Sequence, residues 1–210
     1  MADKDWHAWH SDYDLPGSVL AQRLAAVQDR IRAALDGFPP GPLTVVSLCA
    51  GQGRDLLGVL ASHARRDDVT ARLIELDPRN AGIATQAAKD AGLSQVEVRI
   101  GDAALVDHYA DLVPADLVLV CGVFGNITDE DIRATVAACT QLCATAGTVV
   151  WTRHRRAPDL VPQICRWFEE NGFELLSVSE PEEPFGVGAH RFAGEPRPLA
   201  TGTRIFTFVP

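Results

Sequence analysis

The fold of this chain turns on Val45-Val-Ser-Leu-Cys-Ala-Gly-Gln-Gly-Arg-Asp55, an apolar run that stops at two closely spaced glycines and continues into a helical pattern. Hydrophobic residues without alternation suit a strand buried on both faces. Gly51 and Gly53 permit positive φ and leave room for a ligand to lie against the backbone. The following helix then points its free N–H groups at that ligand. Leu56 occupies the place of a third glycine, so the dinucleotide pattern G-x-G-x-x-G fails. A Walker A loop is excluded because no Gly-Lys-Ser/Thr follows.

On either side of this turn the chain keeps a strict rhythm. Strand candidates lie at 43–49, 69–76, 95–100, 116–122 and 147–153, and helical patterns fill 53–63, 79–91, 104–112, 129–143 and 158–171. Thr128-Asp-Glu-Asp131 reads as a capping box, and Gly172 as a helix stop. Strand and helix in strict succession imply α/β architecture: a doubly wound, mostly parallel sheet with helices on both faces. Two more strand candidates follow at 173–179 and 203–209, joined by a long loop without a helix pattern, so the expected sheet has seven strands with an antiparallel last strand. Within that loop, Val187-Gly-Ala-His-Arg-Phe192 looks like a short added strand.

Upstream, Phe38-Pro-Pro-Gly-Pro42 separates an N-terminal helical arm, residues 1–42, from a body at 43–210. Leu20, Leu24, Val27, Ile31 and Leu35 form one apolar stripe, which predicts a helix packed on the body.

Composition narrows the function. The 210 residues are 47% hydrophobic and carry 28 acidic against 19 basic side chains, a formal charge of −9. Such a surface has no broad attraction for phosphate backbones, and nucleic acid is not an expected partner. The longest apolar runs, such as Ala115 to Val123, fall short of the about 20 residues needed to cross a membrane. The acidic, polar start lacks a signal-peptide core, so the expected location is cytoplasmic. Five scattered cysteines without a C-x-x-C pair read as reduced core residues, and no metal site is expected.

Twenty-two residues beyond Gly53, the second strand ends in Leu73-Ile-Glu-Leu-Asp-Pro78, which places Glu75 rather than Asp77 where a ribose diol donates to a carboxylate. With this residue, the glycine turn, Gly101-Asp102-Ala103 after the third strand, and Cys121-Gly-Val-Phe-Gly-Asn126 after the fourth, residues 43–210 resemble the class I, Rossmann-like S-adenosylmethionine-dependent methyltransferases. In that family the seventh strand is antiparallel. The resemblance implies S-adenosyl-L-methionine as cofactor. Ala50, Gly51, Gln52 and Gly53 would cradle it, Glu75 would hold its ribose with Leu76 beside it in the cofactor site, Asp102 and Ala103 would meet its adenine, and Cys121 and Gly122 its methionine end. Two positions depart from the family pattern: Ser47 stands where Asp is frequent, and Cys49 where the first glycine is frequent.

Candidates for acceptor chemistry lie elsewhere. Trp6, His7, His10 and Tyr13 form an aromatic and imidazole cluster in the arm, suited to a substrate-contacting lid. Thr152-Arg-His-Arg-Arg156 ends the fifth strand, with His154 a candidate base and Arg153 an anion clamp; His190 and Arg191 are a second such couple, and Asn126 is placed to orient the acceptor. The expected activity is methyl transfer to a small anionic molecule, by a monomer or homodimer. The rivals are another reaction of the same cofactor, cyclisation or aminopropyl transfer, and a non-catalytic cofactor-binding module.

Overall fold

The computed structural model describes residues 13–15 and 17–209. In chain order the elements are α1 (Val19–Gly37), β1 (Leu43–Leu48), α2 (Leu56–Leu60), β2 (Val69–Glu75), α3 (Pro78–Asp90), β3 (Val96–Ile100), β4 (Ala115–Val120), α4 (Asp129–Leu142), β5 (Cys143–His154), α5 (Val161–Glu170), β6 (Phe173–Val178) and β7 (Phe185–Phe192). Short 3-10 turns sit at Arg66–Asp68 and Val106–Tyr109.

The strands form one seven-stranded sheet in the order β3-β2-β1-β4-β5-β7-β6. β1 to β5 are parallel, and β7 runs antiparallel to both β5 and β6. Strand order reverses between β1 and β4, so the ends of these two strands open a crevice at the carboxyl edge.

Each face has its own apolar layer. Val27, Ile31 and Leu35 of α1 pack with α2, α3 and residues such as Val45, Leu73, Leu119 and Val150. Leu20 and Leu24, at the front of the same stripe, are half-buried. On the other face α4 and α5 cover Val46, Val118, Val149 and Trp151. Of the capping box expected at α4, the N-cap half is seen, the Thr128 hydroxyl accepting from Asp131 N at 3.1 Å, while the Asp131 carboxylate accepts from Thr207 N. Ser18 does the same for α1, accepting from Ala21 N at 3.0 Å. Gly172 follows α5 with φ 82°.

Two expectations are corrected. The helix expected over 104–112 is only the turn Val106–Tyr109. The last strand is Phe185–Phe192 and not 203–209; the latter segment makes two isolated bridges, Leu105 with Arg204 and Ile127 with Phe208. The physical reason lies in two glycines that weaken the strand signal of 185–192. An added Cβ at Gly186 would lie 2.4 Å from Val161 Cγ2, and one at Gly188 would lie 2.3 Å from the Trp151 ring. Packing, not turn chemistry, demands those glycines.

Candidate functional site

β1 delivers the chain into the crevice through a run of left-handed residues: Cys49 at φ 51°, Gly51 at 57° and Gly53 at 69°. Cys49 carries a side chain in a conformation that disfavours one by about 1 kcal/mol or more. Its thiol is buried, which pushes its pKa up and leaves it inert as a nucleophile. Ala50 N donates to Ile74 O at 2.9 Å and Gly53 N to Ala50 O at 2.8 Å, closing the turn against β2.

Glu75, at the end of β2, is buried and braces this turn. Its Oε2 accepts from Gly51 N at 2.8 Å and its Oε1 from Asp77 N at 2.9 Å, so one carboxylate joins two loops. Asp77, also at the cleft, caps α3 and pairs with Arg79, which holds its carboxyl down at about 2. Behind β3, Asp102 accepts from Ala104 N at 3.0 Å, and Tyr109 Oη donates to Ala103 O at 2.9 Å. At the end of β4, Gly122 N donates to Thr152 Oγ1 at 2.8 Å. Gly122 has φ 79°, and a Cβ there would meet nothing within 4 Å.

These pieces enclose one cleft of about 730 Å³, in the size range of small-molecule sites. Ala50, Gly51, Gln52, Glu75, Leu76, Asp102, Ala103, Cys121 and Gly122 line it, and Gly53 does not. Tyr13 lines it too, whereas Trp6, His7 and His10 fall outside the described residues. Arg54 ties the arm down here: it grips both carboxylate oxygens of Asp14, at 2.6 and 3.0 Å, and its guanidinium lies 5.7 Å from the Tyr13 ring centre.

The residues read from the sequence as acceptor-binding or basic lie elsewhere. His190 and Arg191 of β7 pair with Val149 and Thr148, midway along β5, because the antiparallel strand carries them away from the carboxyl edge of the sheet. That places them about 10–13 Å of strand from the cleft-lining Thr152. His190 is fully buried, stacked on Phe168 with ring centres 4.5 Å apart, and its Nδ1 accepts from Trp151 Nε1. Desolvation lowers its pKa to about 4. Arg191 is exposed and pairs with Glu174. Neither residue reaches the cleft, and both assignments are withdrawn.

Arg153 follows the alternation of β5. Thr152 faces the cleft, so Arg153 points to the opposite face, where it donates to Phe124 O. His154 accepts from Arg156 N through Nδ1, and burial, helped by Arg153 and Arg156, pushes its pKa down. Asn126 spends its amide on Gly122 O at 2.7 Å, fixing the turn after β4. None of the three lines the cleft.

The side chains the sequence did not reveal are Arg23, Asp55, Thr152 and a group from the C-terminal segment, Arg204, Phe206 and Phe208. Asp55 caps the short helix α2, its Oδ1 accepting from Leu56 N at 2.7 Å, and burial pushes its carboxyl pKa up. Arg23 donates to Tyr13 Oη at 2.8 Å. Arg23, Arg204, Phe206 and Phe208 reach the cleft only once α1 and the C-terminal segment have docked, whereas Asp55 and Thr152 sit at the glycine turn and at the end of β5.

No family model and no curated protein matches the chain. Solved structures do. CurJ carbon methyltransferase superposes with TM-score 0.66 at 15% identity, over 85% of this chain and 56% of its own, so this chain spans just over half the length of that protein. A TehB-like SAM-dependent methyltransferase from Corynebacterium glutamicum gives TM-score 0.55 at 18% identity, over 81% and 94%. An rRNA methylase from Streptococcus thermophilus gives 0.57 at 12%, over 80% and 94%. The chain thus has the class I, Rossmann-like fold of S-adenosylmethionine-dependent methyltransferases.

Proposed function

We propose that the chain is an S-adenosylmethionine-dependent methyltransferase with a small anionic acceptor. One observation carries the reading: the left-handed glycine turn, the Glu75 carboxylate and Asp102 converge on a single cleft at the strand-order reversal. The donor set fits the cofactor. Each Glu75 oxygen accepts one backbone N–H and keeps a lone pair for a ribose hydroxyl. Leu76, 64% exposed at the cleft, offers an apolar face to the adenine. The open space at Gly122 suits the methionine end.

When bound, the cofactor supplies an electrophilic methyl group on a sulfonium. The chain's own residues position the acceptor and exclude water. At that end of the cleft, Arg23 supplies the positive charge that the sequence had led us to assign to Arg153 and Arg191. Asp55 Oδ2 is the oxygen to take a proton from an acceptor that arrives protonated, since Oδ1 is held by Leu56 N. A carboxyl raised by burial is better matched to that task near neutral pH than a solvated one.

Calorimetry with S-adenosylhomocysteine tests the cofactor reading. Saturable one-to-one binding below millimolar concentration is expected; no binding of it or of S-adenosylmethionine sinks the reading. Mass analysis after incubation with S-adenosylmethionine alone separates methyl transfer from cyclisation, since only cyclisation consumes the cofactor without an acceptor. A panel of small carboxylic acids and a short RNA then tests the acceptor class. Methylation of the RNA alone refutes the small-molecule assignment.

A further inference from the structure

The C-terminal segment is no sheet strand, yet it is firmly held. Ile205 N donates to Ala104 O at 2.9 Å and Val106 N to Thr203 O at 3.2 Å, which fastens its start to the loop after β3. Thr207 N donates to Asp131 Oδ2 at 3.0 Å and Val209 N to Asn126 O at 2.9 Å, which fastens its end to the first turn of α4 and the loop before it. Ile205 is buried in the core, while Arg204, Phe206 and Phe208 line the cleft. The segment therefore bridges the two loops and walls one end of the cleft.

At its start, Arg204 Nη2 reaches Asp102 Oδ2 at 2.5 Å, and Asp102 Oδ1 already accepts from Ala104 N at 3.0 Å. Both carboxylate oxygens are engaged, so the group is locked in one orientation on the cleft wall. The Arg204 and Asp102 side chains are 48% and 31% exposed, and such a pair adds little to stability. What it fixes is geometry. A carboxylate held this way keeps lone pairs that accept from an amine and repel a carbonyl oxygen.

We infer that Arg204 is a positioning residue for base recognition: it fixes Asp102 so that the carboxylate accepts from the exocyclic amine of a 6-aminopurine and rejects the 6-oxo base. This rests on the cofactor reading above. A site built to bond a donor disfavours the analogue lacking it because its own polar group is left unmatched. One such loss is worth about tenfold or more in affinity.

The test titrates the full chain with S-adenosylhomocysteine and S-inosylhomocysteine, as wild type and as Arg204→Ala, Arg204→Lys and Asp102→Asn. Wild type is expected to favour the adenosyl ligand about tenfold or more. Arg204→Ala is expected to cut that ratio at least threefold, with Arg204→Lys retaining most of it. Asp102→Asn, whose amide donates to a 6-oxo group, is expected to bring the ratio near one or below. If Arg204→Ala weakens both ligands equally, or neither, the residue only anchors the segment and the inference fails. A wild type that binds neither ligand overturns the cofactor reading instead, and this inference with it. Melting curves of the variants separate loss of fold from loss of discrimination.

Discussion

Glu75→Gln separates bracing from binding at the centre of the cleft. In the native chain the carboxylate accepts from Gly51 N and Asp77 N, at 2.8 and 2.9 Å. Glutamine has one carbonyl oxygen for these two donors, and its NH₂ group faces whichever N–H is left. A buried donor left unmatched costs about 1–3 kcal/mol. For a chain of this length each kcal/mol lowers Tm by about 2–4 °C, so a drop of roughly 2–12 °C is expected. Binding loses more. Hydrogen bonds from a ribose diol to a carboxylate are charge-assisted, at about 1.5–3 kcal/mol each. Turning one acceptor oxygen into a donor and neutralising the other removes about 2–4 kcal/mol, or roughly 30- to 1000-fold in Kd for S-adenosylhomocysteine. Thermal melting reads the first effect, and calorimetry well below the variant's Tm reads the second. A variant whose Tm falls while its Kd stays within threefold of wild type would show that Glu75 is only a strut between two loops, and the ribose assignment would be refuted.

Three further outcomes are expected. His190 has a pKa of about 4 when folded against an ordinary 6.5, so the unfolded chain takes up its proton first. Its contribution is present above pH 6.5 and is lost as the pH falls toward 4, by roughly 3 kcal/mol; in denaturant titrations the stability of wild type minus that of His190→Leu is expected to fall by about that amount over this range, and a difference constant with pH would contradict the burial of this imidazole. Gly53→Ala puts a side chain at φ 69° with a Cβ 2.7 Å from Leu57 Cδ1, and is expected to cost about 2–4 kcal/mol in chemical unfolding; less than 1 kcal/mol would mean the turn relaxes freely. Arg191→Ala is expected to leave ligand affinity within twofold of wild type, and a larger loss by calorimetry would restore the anion-clamp role withdrawn above.

The sheet and the glycine turn were legible because both follow from local physics. Strands buried on two faces read as apolar runs, as in Leu117 to Val120 and, broken only by Ser47, Val45 to Leu48, and a ligand-approaching turn reads as paired glycines. Leu43 to Leu48 and Val69 to Glu75 fell within one residue of the expected strands. What failed depended on partners distant in sequence. Gly186 and Gly188 look like turn residues until Val161 and Trp151 are seen filling their Cβ positions. Residues 203–209, rich in Thr, Ile, Phe and Val, look like a strand, but their hydrogen bonds go to loops after β3 and β4. His190 and Arg191 were assigned to the cleft because the direction of the strand that carries them was not legible, and reversing that direction exchanges one sheet edge for the other.

The same distinction governs the charge around the site. The sequence offered Arg153 and Arg191 as anion clamps. The cleft instead matches arginine with acid: Arg54 with Asp14, Arg79 with Asp77, and Arg204 with Asp102. Each pair cancels most of its own field beyond a few ångströms, so the cleft does not act as a basic funnel drawing in polyanions from a distance. These three arginines act as fixed parts, whereas Arg23, which donates to Tyr13 Oη, is the one proposed above to meet the acceptor. Arg54 ties the arm to the glycine turn, and Arg204 ties the C-terminal segment to Asp102, so two segments far apart in sequence close opposite sides of one site. Selectivity in such a cleft comes from short-range geometry. Added salt is therefore expected to change cofactor affinity only weakly, by less than about threefold between 0.05 and 0.5 M in calorimetry, and a steep linear fall of log Kd-derived affinity with log salt would show that long-range attraction, not paired geometry, dominates recognition.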